Sequence, residues 1–222
     1  MRAGIYFFTI VFIVFSNCSG PKKNEYKEKI EGFATSLKTK YGTNFQEEVQ
    51  YYELNNFRDS LVGAQIGNYK FQDYYGSNVN LLEDSKPVLL ESFASWCAPC
   101  ISSIPALNKL SEDYPQVRFV VVAHDTPDKL KEYAKKFNSN IHVIPSEREV
   151  NASGFIKLEV GEFQSVFPFP ATISISSNGK IQNVLLGAPR AGTYGGKTIT
   201  LEEVHEANMM RLSRVLDKLI SE

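Results

Sequence analysis

Cysteine is scarce in this chain: three in 222 residues, beside three histidines and one tryptophan. So small a set excludes a scaffold stapled by several disulfides, and the spacing of His124, His142 and His205 fits no zinc-finger pattern, so neither a metal nor a cofactor is expected. Neither charge dominates. With 24 basic residues against 25 acidic ones, the electrostatic footprint of a nucleic-acid binder is missing. Long apolar runs are missing too: Ile5 to Phe15 is apolar apart from Thr9, and its eleven residues fall short of the roughly 20 that a membrane-crossing helix needs. The chain also lacks internal repeats and low-complexity tracts.

What is there suffices for one sizeable core, since 43% of the residues are hydrophobic. The short apolar run, with Arg2 ahead of it, reads as a cleaved signal covering residues 1–17. Phe15-Ser16-Asn17-Cys18 then resembles a bacterial lipobox, in which the cysteine is lipidated and becomes the new N-terminus, although Asn17 and Phe15 depart from the common pattern. A plain secretory signal with Cys18 as an unused thiol is the alternative. Cysteine arithmetic favours the lipid, because consuming Cys18 leaves two cysteines and no odd thiol in an oxidising compartment. The expected location is the bacterial cell envelope, facing the periplasm and tethered to the membrane.

The remaining pair stands in Trp96-Cys97-Ala98-Pro99-Cys100. Two thiols separated by two residues can close and reopen a disulfide with little chain movement. The segment before them, Pro87 to Phe93, reads as a buried strand, and Ile101, Ile104, Leu107 and Leu110 follow at helical spacing. A strand-to-helix junction sets the first cysteine at the positive end of the helix dipole, beside unpaired N–H groups that favour thiolate over thiol. Cys97 is therefore the expected nucleophile.

Along the rest of the chain, residues 18–60 read as a lipidated tether, from Ser19 to Asn24, and a helical extension. Its apolar positions are Tyr26, Ile30, Phe33, Leu37 and Tyr41, then Phe45, Val49 and Tyr52. Residues 61–222 form the main domain. Tyr69 to Phe71 and Val79 to Leu81 predict a short hairpin, and Val117 to Ala123 and Ile141 to Ile144 predict strands. Asp125-Thr126-Pro127 starts a helix to about Phe137. Ser177-Asn178-Gly179 joins two strands, Ala171 to Ser176 and Lys180 to Leu186, and Leu201 to Ile220 closes the chain as an amphipathic helix. This alternation predicts an α/β fold: a central mixed sheet flanked by helices, antiparallel where the second hairpin joins.

That order, with WCxxC at its first strand-helix junction, resembles the thioredoxin-like fold and specifically the TlpA/ResA-like periplasmic thiol-disulfide reductases, over about Val62 to Glu222. Pro105, five residues after Cys100, stands where such proteins kink the active-site helix. Phe169-Pro170-Ala171-Thr172 looks like the family's cis-proline segment, whose backbone faces the CxxC pair and holds substrate; Pro168 is the rival position. Glu91, six residues before Cys97, matches the buried acid beneath the disulfide of thioredoxins, where many TlpA-like proteins carry a neutral residue. Such an acid could take the proton of Cys100; the alternative is a strand residue reaching solvent or a lysine. Ser103 stands where many membrane-tethered relatives have glutamate, so that acid's role does not carry over.

The resemblance implies an oxidoreductase that reduces disulfide-containing protein substrates, with a membrane-bound electron donor. Cys97, Cys100 and Glu91 would be its chemical groups, and Trp96, Phe169 and Pro170 its substrate face. Apocytochrome c as a client is implied by the resemblance alone. Two other readings stay open: a binding module with a structural disulfide, and an oxidase or isomerase on the same scaffold. His124 reads as an ordinary residue at a strand end. Ala191 to Thr198 formally satisfies a relaxed phosphate-binding loop but lacks a strand running into it, so a glycine-rich connection is expected there.

Overall fold

The computed structural model describes residues 23–42, 47–147 and 155–221. The signal segment, Cys18 and Phe45 lie outside them.

Helix α1 (Glu25–Tyr41) begins at Asn24, whose side chain accepts the Lys27 N–H, and α2 (Glu47–Ser60) follows. Asn24 also accepts the Gly67 N–H at 3.0 Å and donates to the Tyr69 hydroxyl at 2.9 Å. The tether expected to run to Asn24 therefore stops short of it: two hydrogen bonds, with Gly67 and Tyr69, fix this residue to the domain, and a third caps α1. Gly67 is needed at that contact, since a Cβ there would stand 2.4 Å from the Asn24 amide. On α1 the buried residues are Tyr26, Ile30 and Leu37, as the helical spacing predicts. On α2 the expected Tyr52 is not a core residue, being 71% exposed, while Leu54 is buried and Phe57 stacks on Phe33 with centroids 4.0 Å apart; the Val49 side chain lies outside the described residues. The packing partner on α1 sets the rotation of α2, and local periodicity did not contain it.

The hairpin β1 (Lys70–Gln72) and β2 (Asn78–Asn80) leads into β3 (Val88–Phe93), α3 (Ala98–Asp113), β4 (Arg118–Ala123), α4 (Pro127–Ala134) and β5 (Ile141–Ile144). Successive right-handed crossovers in one direction put α3 and α4 on the same sheet face. The 145–168 region, left without structure by the sequence reading, contains a further hairpin, β6 (Leu158–Val160) and β7 (Phe163–Ser165). Next come β8 (Ala171–Ile175) and β9 (Ile181–Leu186), turning at Gly179 with φ +84°. The expected glycine-rich connection also pairs, as β10 (Gly192–Tyr194) and β11 (Lys197–Ile199), with Gly195 and Gly196 at positive φ between them. Helix α5 (Leu201–Ile220) ends the fold, its start fixed by a Thr200/Glu203 capping box.

The main sheet has the order β5-β4-β3-β8-β9, parallel through its first three strands and antiparallel after β3. Every residue of β3 is buried, as a central strand covered on both faces requires. Val88 and Leu90 face a core shared with Tyr26, Ile30, Leu61 and Phe163. Leu89 and Phe93 face the other core, formed by Leu107 and Leu110 of α3, Leu130 of α4, and Leu212 and Leu216 of α5.

The N-terminal extension thus completes the core rather than decorating it: Tyr26 donates its hydroxyl proton to the Gln164 carbonyl at 2.9 Å and stacks on Phe163. Ile30→Ala should accordingly lower unfolding stability by about 2–5 kcal/mol. Denaturant titration checks this, and a loss below about 1 kcal/mol would place α1 outside the cooperative unit.

Candidate active site

Cys97 is the N-cap residue of α3, in extended conformation, with Pro99 in the first turn. Its sulfur accepts the Cys100 N–H at 3.2 Å, one of the helix's otherwise unpaired donors. The two cysteines form a disulfide with S–S 2.08 Å and Cα atoms 5.2 Å apart. Both are buried, Cys97 4% exposed and Cys100 0%, so what distinguishes them is the helix end at which Cys97 stands. A helix end of this kind favours thiolate over thiol at its N-cap.

The loop carrying Cys97 is held from below by Asp125, a buried carboxylate that accepts both the Ser95 N–H and the Ser95 hydroxyl at 2.6 Å. The helix start read at Asp125-Thr126-Pro127 holds, with Thr126 at the N-cap of α4 and Pro127 at its first position, while Asp125 turns to the active-site loop.

Three aromatic rings meet at Trp96, the neighbour of Cys97 in the chain. Trp96, 66% exposed, meets Phe169 edge-on with centroids 5.5 Å apart and His124 at 6.1 Å, and His124 meets Phe169 at 5.8 Å. His124, expected to be an ordinary loop residue, is therefore part of the rim, placed by the end of β4 next to the end of β3. The Phe169–Pro170 peptide is cis, as the resemblance implied for Pro170 over Pro168. Ser92 and Gly187 secure this loop: the Ala171 N–H donates to the Ser92 hydroxyl and the Gly187 N–H to the Pro170 carbonyl, both at 2.8 Å.

Glu91 lies on the α3 side of β3, 1% exposed. Ser103 donates to its Oε1 at 2.7 Å and Thr172 to its Oε2 at 3.0 Å. The same Ser103 hydroxyl lies 2.8 Å from the Cys100 carbonyl, so one residue touches both the acid and the second cysteine's backbone. Burial raises the Glu91 pKa; the hydrogen bond from Ser103, the charge of Arg211 and the hydrogen bond from Thr172 act against it. The alternative of a carboxylate reaching solvent or a lysine does not hold.

Sequence reasoning missed Asp125, His124 and Arg211. A usable signal existed for the last, since Asn208 and Arg211 interrupt the apolar stripe of Val204, Leu212 and Val215 on α5. Among the described residues no group of three or more His, Cys, Asp and Glu side chains could hold a metal ion, and no helix is long and apolar enough to cross a membrane.

A dithiol at a helix N-terminus, a cis-proline loop beside it and a buried acid beneath it, on a mixed α/β sheet, define a thioredoxin-like thiol-disulfide oxidoreductase. The model of the Redoxin family matches residues 61–197, and the chain belongs to that family. It is 24% identical over 131 residues to the thioredoxin-like protein YneN of Bacillus subtilis, covering 56% of this chain and 71% of YneN. To the thiol-disulfide oxidoreductase ResA of Bacillus thuringiensis it is 23% identical, covering 57% of this chain and 70% of ResA. A shorter match, 41% identical over 54 residues, joins it to mitochondrial thioredoxin-3 of Saccharomyces cerevisiae, across 24% of this chain and 42% of that protein.

Proposed function

We propose that this oxidoreductase works as a reductase of protein disulfides outside the cytoplasm, tethered to the membrane through a lipid on Cys18 and recharged by a membrane-bound electron donor. Cys97 attacks the substrate disulfide, and the released substrate sulfur leaves as a thiol. Cys100 then gives its proton to Glu91 and attacks Cys97, freeing the second substrate sulfur and leaving the enzyme disulfide. Trp96, Phe169 and Pro170 form the face on which the substrate chain lies.

One observation carries this reading: the two sulfurs are unequal, the first at the N-cap of α3 next to the exposed Trp96 and the second inside the helix, one turn on. Direction follows from the spacer. Ala98 and Pro99 offer no histidine or charge that would hold the thiolate and so favour the reduced enzyme. The reduction potential should therefore lie nearer the roughly −270 mV of thioredoxin than the roughly −120 mV of strong oxidants. Equilibration in glutathione buffers measures it, and a value above about −150 mV would make the protein an oxidase or isomerase instead.

A further inference from the structure

Two residues past the end of β4 stands Asp125, 3% exposed. A carboxylate in the interior is costly unless hydrogen bonds hold its oxygens. Here both oxygens go to one residue: Oδ2 accepts the Ser95 N–H and Oδ1 the Ser95 hydroxyl, each at 2.6 Å. A local use lay one position away. Aspartate is among the preferred N-cap residues, and α4 starts at Thr126 with no side-chain bond to its cap, yet the carboxylate serves a residue 30 positions earlier. The backbone that presents it is fixed on both sides. The His124 N–H donates to the Phe93 carbonyl at 2.8 Å, and the Ser146 N–H donates to the Asp125 carbonyl at 2.9 Å.

Ser95 is the first of the two central residues of a tight turn. The Cys97 N–H closes that turn on the Ala94 carbonyl at 3.0 Å, with Ser95 and Trp96 between them. Cys97 leaves the turn in extended conformation as the N-cap of α3, its sulfur accepting the Cys100 N–H at 3.2 Å. The path from Asp125 to the reactive sulfur therefore runs through one residue, one turn and one cap. While the disulfide is closed, it also ties Cys97 to α3. Opening it removes that tie and leaves the turn, the Ile101 N–H bond to the Cys97 carbonyl at 3.0 Å and the Asp125 anchor to hold the cap. The reduced protein, which is the form that attacks substrate, is thus the one that depends on the anchor.

We propose that Asp125 is a positioning residue for the Cys97 thiolate: by holding Ser95 it fixes the turn that sets the sulfur against the unpaired N–H groups of α3. The inference rests on Cys97 being the nucleophile. It extends the site to the end of β4, and it assigns the work to the two hydrogen bonds rather than to the charge that accepts them.

Alkylation of the reduced full-length protein by iodoacetamide reads this directly. The Cys97 thiolate displaces iodide, so the rate followed against pH gives the midpoint at which the thiol loses its proton, and mass spectrometry places the label. Asp125→Ala should raise that midpoint by about one pH unit and slow labelling about tenfold below it, because a thiol held away from the helix end returns toward its ordinary range. Asp125→Asn should stay within about twofold of wild type, since its amide can accept the Ser95 N–H through oxygen and donate to the Ser95 hydroxyl through nitrogen. Ser95→Ala, which removes the hydroxyl bond and keeps the backbone one, should slow labelling about threefold.

A residue that only supported the fold would change the melting temperature and leave the midpoint where it is. A folded Asp125→Ala protein with the wild-type midpoint therefore overturns the role. Equal shifts in Asp125→Ala and Asp125→Asn also overturn it, because the charge and not the pair of hydrogen bonds would then be what acts. Should Asp125→Ala fail to fold, Ser95→Ala decides, and an unchanged midpoint there sinks the proposal. Wild-type protein labelled first at Cys100 would remove the nucleophile reading itself, whatever the variants do.

Discussion

Cys97→Ser should abolish disulfide reduction, lowering the rate on a model protein such as insulin by at least about a thousandfold, because the step lost is bond formation itself. A serine hydroxyl is a far weaker nucleophile toward sulfur, and the helix N-terminus cannot ionise it at neutral pH. Cys100→Ser should behave differently. Its Cys97 still attacks, and the product is a mixed disulfide that nothing inside the protein resolves, because the buried position at Cys100 now holds a hydroxyl. One variant is therefore silent and the other stalls as a covalent complex, visible by non-reducing electrophoresis and reversible with dithiothreitol. Were the Cys97–Cys100 bond structural, both variants would be equally inert and wild type no better. Recovery of mixed disulfides through Cys100 rather than Cys97 would reverse the assignment of the sulfurs.

That asymmetry was legible in the residues. A buried run, then WCxxC, then apolar positions at helical spacing leave few alternatives to a strand-helix junction, and α3 does begin at Ala98 with Cys97 as its cap. Glu91 and Pro170 were found through the resemblance, as positions that match the family's buried acid and its cis-proline segment. What failed to show was whatever depends on a partner far away in sequence. Asp125 reads locally as part of a helix start, yet Ser95 lies 30 positions earlier and takes both its oxygens. His124 and Phe169 are 45 positions apart and share a rim with Trp96 because β3, β4 and the loop before β8 end together. The hairpins β6-β7 and β10-β11 are three-residue strands, too short for an alternation of two to stand out.

Glu91→Gln should make the protein more stable at neutral pH, by on the order of 1–3 kcal/mol, while slowing resolution. Both effects have one cause. Burial raises the Glu91 pKa, so the folded state holds its proton at pH values where the unfolded chain has already released it. Stability is then full below the ordinary carboxylate range and declines as pH rises through the folded pKa. A glutamine never ionises, so its curve lacks that decline, and the two proteins should be alike near pH 4 and diverge toward pH 8.

The hydrogen bonds can survive the change, since either hydroxyl, on Ser103 or Thr172, can rotate from donor to acceptor and receive the amide N–H. Arg211 pulls the other way: glutamine leaves its charge without the carboxylate it acts on. Desolvation is the largest influence on Glu91 and the Arg211 charge a lesser one, so the net effect favours glutamine. For a chain of this size each kcal/mol corresponds to roughly 2–4 °C in Tm. Thermal melts of the oxidised proteins at both pH values decide it. A variant melting lower than wild type at pH 8 would mean that the Arg211–Glu91 attraction outweighs burial, and Glu91 would then be a structural counter-charge instead of an acid kept in the interior at the expense of stability.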